Sequence, residues 1–315
     1  MSRSVFSIAL LALSVGCTRN AADALSYRPS MTQLRTGEYV LTEEDEDVFI
    51  PEDEFLPGIV VAPDEVVYDD ESGGRRANSA YGAVSDFSFM KELENPGLLE
   101  KHVGTYDYTL TDASLFDEHD DRHVEYTDVQ QGAIGDCYFA AALSAVTYSD
   151  NDFAVRDGMV RETYDEKGNI ASFVVRFYDA WGDPQDIEVD AQLVRRSGKP
   201  LYMRSGDSKS DLEELWPGIV EKAYAKWQGD YEKIGNGGFP GDVLQALTGA
   251  QANWKKIKWQ AESSLHKSID EAVNANRPVV AWTFGEDSGV DYDGSGVYAW
   301  HAYTVLGSRI TEEGE

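Results

Sequence analysis

The sequence predicts an α+β fold with two lobes, the first mainly helical and the second rich in strands. Apolar residues recur at helical spacing in the stretches CYFAAALSAVTY and WPGIVEKAYAKW, both in the first part of the chain. Beyond residue 250, β-branched and aromatic residues cluster in the short runs PVVAWTF and WHAYTVLG, which is typical of strands. We therefore expect a helical lobe over residues 87–249 and a β-rich lobe over residues 250–315.

The individual elements follow from local patterns. A helix is predicted from Cys137, with a buried stripe at positions 138, 139, 142, 143 and 146. The stretch IASFVVRFYDAWGDPQDIEVDAQL predicts two strands around the turn Gly182-Asp183-Pro184. Pro217 fits the first turn of the next helix, and a third helix is expected from Gly241 to about Thr248. In the second lobe, the helix SSLHKSIDEAVNAN separates the strands NWKKIKW and PVVAWTF.

The charge of the chain excludes one class of partner. The sequence has 27 Lys and Arg against 57 Asp and Glu, which gives a formal net charge of -30. Nucleic-acid binding needs a basic face, so we expect no nucleic-acid partner. The same acidity concentrates cations such as calcium near the surface.

The N terminus predicts export. Residues 1–17 contain Arg3, an apolar stretch from Val5 to Val15 and then Gly16-Cys17, which is too short to span a bilayer and typical of a signal peptide. LSVGC resembles the lipobox of bacterial lipoproteins, which would place a lipid on Cys17 and leave the protein in the cell envelope. Cleavage at Ala22-Asp23-Ala24 would instead give a soluble extracellular or periplasmic protein. A lipid anchor is the only contact with a membrane that we expect.

Residues 18–86 are dominated by acid. The run from Glu38 to Glu71 contains no Lys or Arg and three prolines, and SGGRRANS follows it. This composition predicts an extended, poorly ordered tether, with a propeptide as the alternative.

Cys137 is a candidate nucleophile. The chain has two cysteines, and the other is Cys17, so Cys137 would stand alone in the mature protein. The sequence GAIGDC before an apolar helix places the thiol in the first helical turn, where the positive end of the helix favours the thiolate. Gln131 carries an amide that could donate to a developing oxyanion beside the Cys137 N–H.

Three separated motifs resemble the calpain family of papain-like cysteine proteases. TDVQQGAIGDCYFAAALSAV is similar to the segment around the family's nucleophile. ELWPGIVEKAYAKWQGDYEKI, followed by GNGG, is similar to a second family stretch, and WHAYTVLG is similar to the segment with the catalytic histidine. The order is the family's order, and the resemblance covers roughly residues 100–309.

The resemblance implies a fold and a set of roles. It implies a papain-like core in which one lobe carries Cys137 as nucleophile and the other carries His301 as general base and acid. Gln131 becomes the oxyanion donor, while Gly237 and Gly238 line a cleft for extended polypeptide substrates. The implied activity is that of a cysteine endopeptidase with loose sequence selectivity.

The match departs from the family at two places. The family's third catalytic residue is an asparagine in an N-P-W-G context about two dozen residues after the histidine, and no such motif follows His301. We therefore expect a truncated sequence with an incomplete second lobe. Trp300 replaces the glycine that calpains keep before the histidine, which affects a substrate subsite. These departures leave open a catalytically impaired module that binds extended peptides, or acyl transfer to an acceptor other than water.

Calcium is the one cofactor that the resemblance suggests. Asp128 and Glu214 stand where the animal enzymes place two calcium ligands, although Tyr126 replaces the arginine that couples this site to a second one. DYDGSG, at residues 291–296, has the first half of a calcium loop but lacks an acid at its twelfth position, which is Ala302. His119 and His123 have metal-ligand spacing, but their acidic surroundings favour a solvated turn.

Overall fold

The computed structural model describes residues 90–100, 102, 104–108, 113–116, 124–150, 153–206, 213–257, 260–285, 288–293 and 295–310. It also describes four short strands nearer the N terminus, at residues 7–9, 12–13, 38–40 and 58–61. Cys17, the Arg75-Arg76 pair, His119 and His123 lie outside the described residues. Within the described part, no helix has the length and apolar content needed to cross a membrane.

Five α-helices and one π-helical segment lie in the described part of the chain. The α-helices are α1 (Cys137–Asp150), α2 (Trp216–Gln228), α3 (Tyr231–Ile234), α4 (Pro240–Thr248) and α5 (Glu262–Asn274), and the π-helix is Phe153–Met159. The four long helices were all predicted from the sequence, within one or two residues at their starts. Pro217 lies in the first turn of α2, where its missing N–H costs no hydrogen bond.

The described strands are short, and most of them are antiparallel. They are β1 (Ser7–Ala9), β2 (Ala12–Leu13), β3 (Glu38–Val40), β4 (Gly58–Val61), β5 (Thr105–Asp107), β6 (Ala113–Ser114), β7 (Val160–Tyr164), β8 (Ile170–Tyr178), β9 (Pro184–Val189), β10 (Leu193–Arg196), β11 (Lys199–Pro200), β12 (Glu213–Glu214), β13 (Asn253–Lys256), β14 (Val279–Trp282) and β15 (Ala302–Val305). The sheet orders are β1-β3, β11-β10-β5, β12-β6, β13-β4-β14-β15-β2 and β7-β8-β9.

The first lobe contains more strand than the sequence predicts. The hairpin β8-β9 was expected, but β7 extends it to three strands, and β10 pairs with β5 from almost ninety residues upstream. Pro184, expected in the turn, is instead the first residue of the edge strand β9. That position tolerates proline because no ladder N–H is lost there.

The five-stranded sheet separates two hydrophobic cores. Along β14, Val280 and Trp282 belong to the large core of the first lobe, while Val279 and Ala281 pack with Leu265 of α5 in a smaller core. Since alternate residues of a strand face opposite sides of a sheet, both faces of this sheet are covered. The fold is therefore α+β, with two lobes that share this sheet as their boundary.

Helix α1 lies at the centre of the molecule, where it positions the candidate nucleophile. It packs against α4 on one side and against β14 and β15 on the other. Residues 138–147 are all buried, so the apolar stripe predicted from the sequence is in fact a helix buried all round. The buried Ser144 hydroxyl donates to the Tyr126 carbonyl at 2.6 Å, which satisfies one of the helix's few polar side chains.

Candidate active site

Cys137 is the first residue of α1, as the sequence predicts. The helix begins there because the carbonyl of Asp136 accepts from the N–H groups of Phe139 and Ala140, at 2.8 and 3.0 Å. The thiol is partly buried and packs against the large core. A sulfur at this position lies at the positive end of the helix, which favours its thiolate form.

The loop before Cys137 is clamped by backbone hydrogen bonds on both sides. Ala133 donates to the Leu201 carbonyl at 3.0 Å, and Gly135 donates to the Gly235 carbonyl at 3.1 Å. Gly237 in turn donates to the Gly135 carbonyl at 3.1 Å. The GNGG segment (residues 235–238) is therefore hydrogen-bonded directly to the loop before Cys137. The sequence could not indicate this pairing, because the two segments are a hundred residues apart.

Gly132 is required for one of these close approaches. A Cβ at this position would lie 2.3 Å from the carbonyl carbon and oxygen of Tyr202, which are backbone atoms and cannot move aside easily. Replacing Gly132 with alanine is therefore expected to lower the free energy of unfolding by about 1–3 kcal/mol. Urea denaturation measures the loss. Gly307→Ala is the control, since a Cβ there would have no neighbour within 4 Å, and equal losses in the two variants would contradict the close approach.

His301 lies immediately before β15 and is buried, with 4% of its surface exposed. Its backbone is fixed to Thr283. The His301 N–H donates to the Thr283 hydroxyl at 3.0 Å, and the Thr283 N–H donates to the His301 carbonyl at 3.0 Å. The imidazole packs edge-on against the Tyr303 ring, with centroids 4.8 Å apart. These contacts hold the backbone and the ring of His301 in place.

Two observations bring Cys137 and His301 to the same region. The Thr304 hydroxyl donates to the Ala141 carbonyl at 2.8 Å, which joins β15 to α1 one helical turn after Cys137. In addition, burial raises the pKa of Tyr303, and the negative charges of Tyr298 and Cys137 raise it further. Tyr303 therefore lies within electrostatic range of Cys137, while its ring packs against the imidazole of His301.

The Gln131 side chain is buried and turned inward. Its Nε2 donates to the Ile134 carbonyl at 2.8 Å and to Oδ1 of Asp136 at 3.0 Å. An amide nitrogen has two hydrogens, so both are engaged. Gln131 lies beside the cysteine loop, as the resemblance implies, but an oxyanion would have to share one of these hydrogens.

Gly237 and Gly238 are both exposed but differ in their surroundings. Gly237 has a φ of 85° and open space where a Cβ would be, so an extended chain could approach its backbone. At Gly238 a Cβ would lie 2.4 Å from the ring of Tyr138, so this glycine is needed for packing within the protein.

Trp300 extends into solvent beside the candidate histidine. Its side chain is 55% exposed, and its backbone has a φ of 53°. This left-handed conformation is uncommon for a bulky residue and free of strain for glycine. The family's glycine at this position therefore has a backbone reason as well as a steric one. The exposed Tyr298 lies two residues before it and contributes to the same rim.

Asp128 and Glu214 are buried acidic residues, and both are hydrogen-bonded to the segment Ser205-Gly206. Oδ2 of Asp128 accepts from the Glu125 N–H at 2.6 Å, and its carbonyl accepts from the Gly206 N–H at 2.9 Å. Oε2 of Glu214 accepts from the Ser205 hydroxyl at 2.8 Å. Carboxylate oxygen is the donor type that calcium prefers, but calcium takes six to eight oxygens. Among the described residues no group of three or more acidic, His or Cys side chains is arranged for a metal.

The remaining histidines of the described chain have structural partners that the sequence did not identify. Nδ1 of His102 lies 3.2 Å from the Tyr202 hydroxyl, and Nδ1 of His266 lies 2.7 Å from the Ser308 hydroxyl. In the loop DYDGSG, Asp291 accepts from the Asp293 N–H at 2.9 Å, which forms an ordinary turn.

Sequence reasoning also missed two groups around the site. Thr283 fixes the backbone of His301, and the Glu221 carboxyl lies against that of Asp136, the residue before Cys137. Glu221 could have been suspected because it follows the apolar run Trp216–Val220 of α2, where a charged residue is rarely left without a partner.

A thiol in the first turn of a buried helix, with a buried imidazole directly before a strand that packs against that helix, is what a papain-like cysteine protease is expected to show. The family model for calpain family cysteine proteases matches residues 111–315. The chain belongs to this family.

Relatives with established names support the assignment. The chain is 32% identical to the chicken (Gallus gallus) calpain-2 catalytic subunit over 147 residues, which is 47% of this chain and 20% of that protein. It is 33% identical to Drosophila melanogaster calpain-A over 150 residues, which is 47% of this chain and 17% of that protein. It is 28% identical to the human calpain-2 catalytic subunit over 189 residues, which is 59% of this chain and 26% of that protein. The matches thus span about a quarter or less of each relative.

Proposed function

We propose that this protein is a cysteine endopeptidase of the calpain type, which hydrolyses peptide bonds in polypeptides. The observation that supports the proposal is the packing of β15, which follows His301, against α1, which begins at Cys137. The Thr304–Ala141 hydrogen bond joins the two elements, and Tyr303 packs against the His301 ring within electrostatic range of Cys137.

In the proposed reaction, the Cys137 thiolate attacks the carbonyl carbon of the scissile bond and forms a tetrahedral intermediate. The imidazolium of His301 then gives its proton to the leaving amine as the C–N bond breaks. In the second half, neutral His301 takes a proton from water, and the resulting hydroxide attacks the thioester carbonyl. The C–S bond then breaks, which releases the carboxylic acid product and restores the thiolate of Cys137 beside the imidazolium of His301. Burial of the His301 ring excludes competing water from the pair.

The negative oxygen of the intermediate would lie at the N terminus of α1. The Cys137 N–H is one proposed donor and the amide of Gln131 is the other. Because Gln131 already donates to Ile134 and Asp136, its contribution requires a hydrogen shared between an internal acceptor and the oxyanion. Such three-centre hydrogen bonds are common in proteins.

The proposed substrates are extended, accessible stretches of polypeptide. The exposed backbone at Gly237 offers room for a substrate chain, and the indole of Trp300 offers an apolar surface on the other side of the site. Backbone recognition would give little sequence preference, since each peptide unit presents the same groups.

A second candidate function is peptide binding without hydrolysis. The inward orientation of Gln131 favours it, because an oxyanion hole with one donor withdrawn loses about 10²–10³ in rate. Transfer of the acyl group to an acceptor other than water is a third outcome of the same chemistry.

Calcium and export complete the proposal. We propose that Asp128 and Glu214 supply two oxygen ligands to calcium, with backbone carbonyls and water as the others, which would hold the segment before Gln131 in place. We further propose that the protein is exported, with a lipid on Cys17 or as a soluble extracellular or periplasmic protein.

Covalent labelling with a peptidyl epoxide tests the proposal. The protein is incubated with the epoxide in calcium and, separately, in a calcium chelator, and the labelled residue is located by mass spectrometry. We expect labelling at Cys137 that is absent in Cys137→Ser and much slower in His301→Ala. Labelling in calcium alone would support the calcium site. A bound but unmodified peptide probe would favour the binding module instead.

A further inference from the structure

We infer that Asp136 and Glu221 share one proton in a buried carboxyl pair that positions the amide of Gln131 beside the nucleophile. Asp136 is fully buried and is the residue before Cys137, while Glu221 is 1% exposed and lies in the middle of α2. Neither residue touches substrate in this proposal, so both are positioning residues. Their catalytic importance depends on the proposed function, but the shared proton does not.

The hydrogen bonds of the pair require a proton between the two groups. Oδ1 of Asp136 accepts from Nε2 of Gln131 at 3.0 Å, and both oxygens of Glu221 accept from the Met203 N–H, at 3.1 and 3.2 Å. Oδ2 of Asp136 is buried, and no donor lies within hydrogen-bond distance of it among the described residues. The neighbouring group is the Glu221 carboxyl, so a proton on Glu221 supplies the missing donor.

The side chains around Asp136 and Glu221 are mainly tyrosines, and no cation compensates the charge of the pair among the described residues. Burial raises the pKa of Asp136 to about 6, and burial together with the charge of Asp136 raises the pKa of Glu221 well above its usual range. The nearest buried amine, Lys222, donates to Asp190 instead. The titratable side chains around the pair are Tyr138, Tyr224, Tyr231, Tyr106, Tyr202 and Cys137. At neutral pH, Asp136 is therefore ionised and Glu221 holds the proton.

The charge on Asp136 decides which way the Gln131 amide points. A carboxylate accepts hydrogen bonds only, so it selects Nε2 of Gln131 and leaves Oε1 without a partner among the described residues. A protonated Asp136 could donate to Oε1, and the amide could then rotate by half a turn. Protonation would thus remove the fixed orientation of the proposed oxyanion donor, and activity would fall in acid.

Infrared spectroscopy of the full chain tests the shared proton without any reference to catalysis. We expect the carbonyl band of a protonated carboxylic acid at neutral pH, and we expect Glu221→Gln to remove it. Glu262→Gln, which changes a partly buried acid in the first turn of α5, is the matched control and should leave the band unchanged. Absence of the band in the wild-type protein, or its survival in Glu221→Gln, would overturn the inference.

Kinetics tests the positioning. Glu221→Gln keeps a donor toward Asp136 and should retain kcat/KM at neutral pH within a few-fold of wild type. Asp136→Asn removes the charge and should lower kcat about 10- to 100-fold with little change in KM, the effect of one charge-assisted hydrogen bond. The variant should also lose the acid limb near pH 6 that Asp136 gives the wild type. An unchanged pH profile in Asp136→Asn would refute the positioning role, and a wild-type protein that cleaves no peptide would refute the proposed function while the infrared result still stands.

Discussion

His301→Ala is expected to reduce kcat/KM for peptide hydrolysis by about 10³-fold or more. The imidazole is proposed to do two things, to hold Cys137 as a thiolate and to protonate the leaving amine, and general acid–base catalysis alone contributes about 10²–10⁴-fold. Without it, the thiol should also behave more like an ordinary cysteine. The rate of its alkylation by iodoacetamide should then rise only at more alkaline pH than in the wild type.

His266→Ala is the matched control for this prediction. His266 is also a histidine of the second lobe, but it lies in α5, and its Nδ1 is hydrogen-bonded to the Ser308 hydroxyl. Its replacement should leave both the peptidase rate and the alkylation profile within a few-fold of wild type. Equal effects of the two substitutions would mean that His301 acts through the stability of the lobe, and a wild-type alkylation profile in His301→Ala would separate the imidazole from the thiol altogether.

The elements that the sequence predicted best are those with strong local signals. The start of α1 at Cys137 follows from a loop rich in glycine before an apolar run, and the limits of α4 follow from a proline at its first position and Gly249 after it. The strands β14 and β15 follow from short runs of β-branched and aromatic residues. Each of these signals lies within a few residues of the element that it predicts.

The features that the sequence did not predict depend on residues far apart in the chain. β10 pairs with β5, and the Gly135 loop pairs with the segment around Asn236, through backbone groups that carry no side-chain pattern. The orientation of Gln131 is similar. Family resemblance placed it beside the thiol, but the direction of its amide depends on Asp136 and on Glu221, which lies ninety residues away in α2.

The left-handed backbone at Trp300 shows a different limit of prediction from sequence. Side chains rarely adopt this conformation, so a sequence containing tryptophan at this position gives no reason to expect it. The turn is instead imposed from outside, because the Trp300 N–H donates to the Phe284 carbonyl at 2.9 Å and the His301 N–H donates to Thr283.

Lys222→Met is expected to lower the free energy of unfolding by about 3–5 kcal/mol, the largest stability effect that we predict. The Lys222 amine is completely buried and donates to Oδ1 of Asp190 at 2.5 Å and to the Gln192 carbonyl at 2.7 Å. Oδ2 of Asp190 in turn accepts from the Leu93 N–H at 3.0 Å. Methionine fills a similar volume but leaves a buried carboxylate unpaired, which costs more than the ion pair itself contributes.

The stability loss in Lys222→Met should depend on pH, which provides a second test of the prediction. Loss of hydration on burial lowers the pKa of Lys222 to about 8, although the charge of Asp190 opposes the shift. The unfolded chain therefore holds this proton more tightly, so the contribution of Lys222 to stability grows as the pH rises from about 8 toward 10.5, and it is lost again as the pH falls. The difference in stability between the wild type and Lys222→Met, measured by urea denaturation, should widen over this range.

Lys226→Met is the matched control, since Lys226 lies one turn further along α2 and its amine donates to the Glu188 carbonyl at an exposed position. Its loss should cost less than about 1 kcal/mol. The double variant Asp190→Asn/Lys222→Met removes both charges and should regain part of the stability, but not all, because the partly buried carbonyl of Gln192 loses its donor. Full recovery of stability would mean that the ion pair acts by charge alone. If Lys222→Met lost no more free energy of unfolding than Lys226→Met, the pair would not hold α2 to the strands of the first lobe.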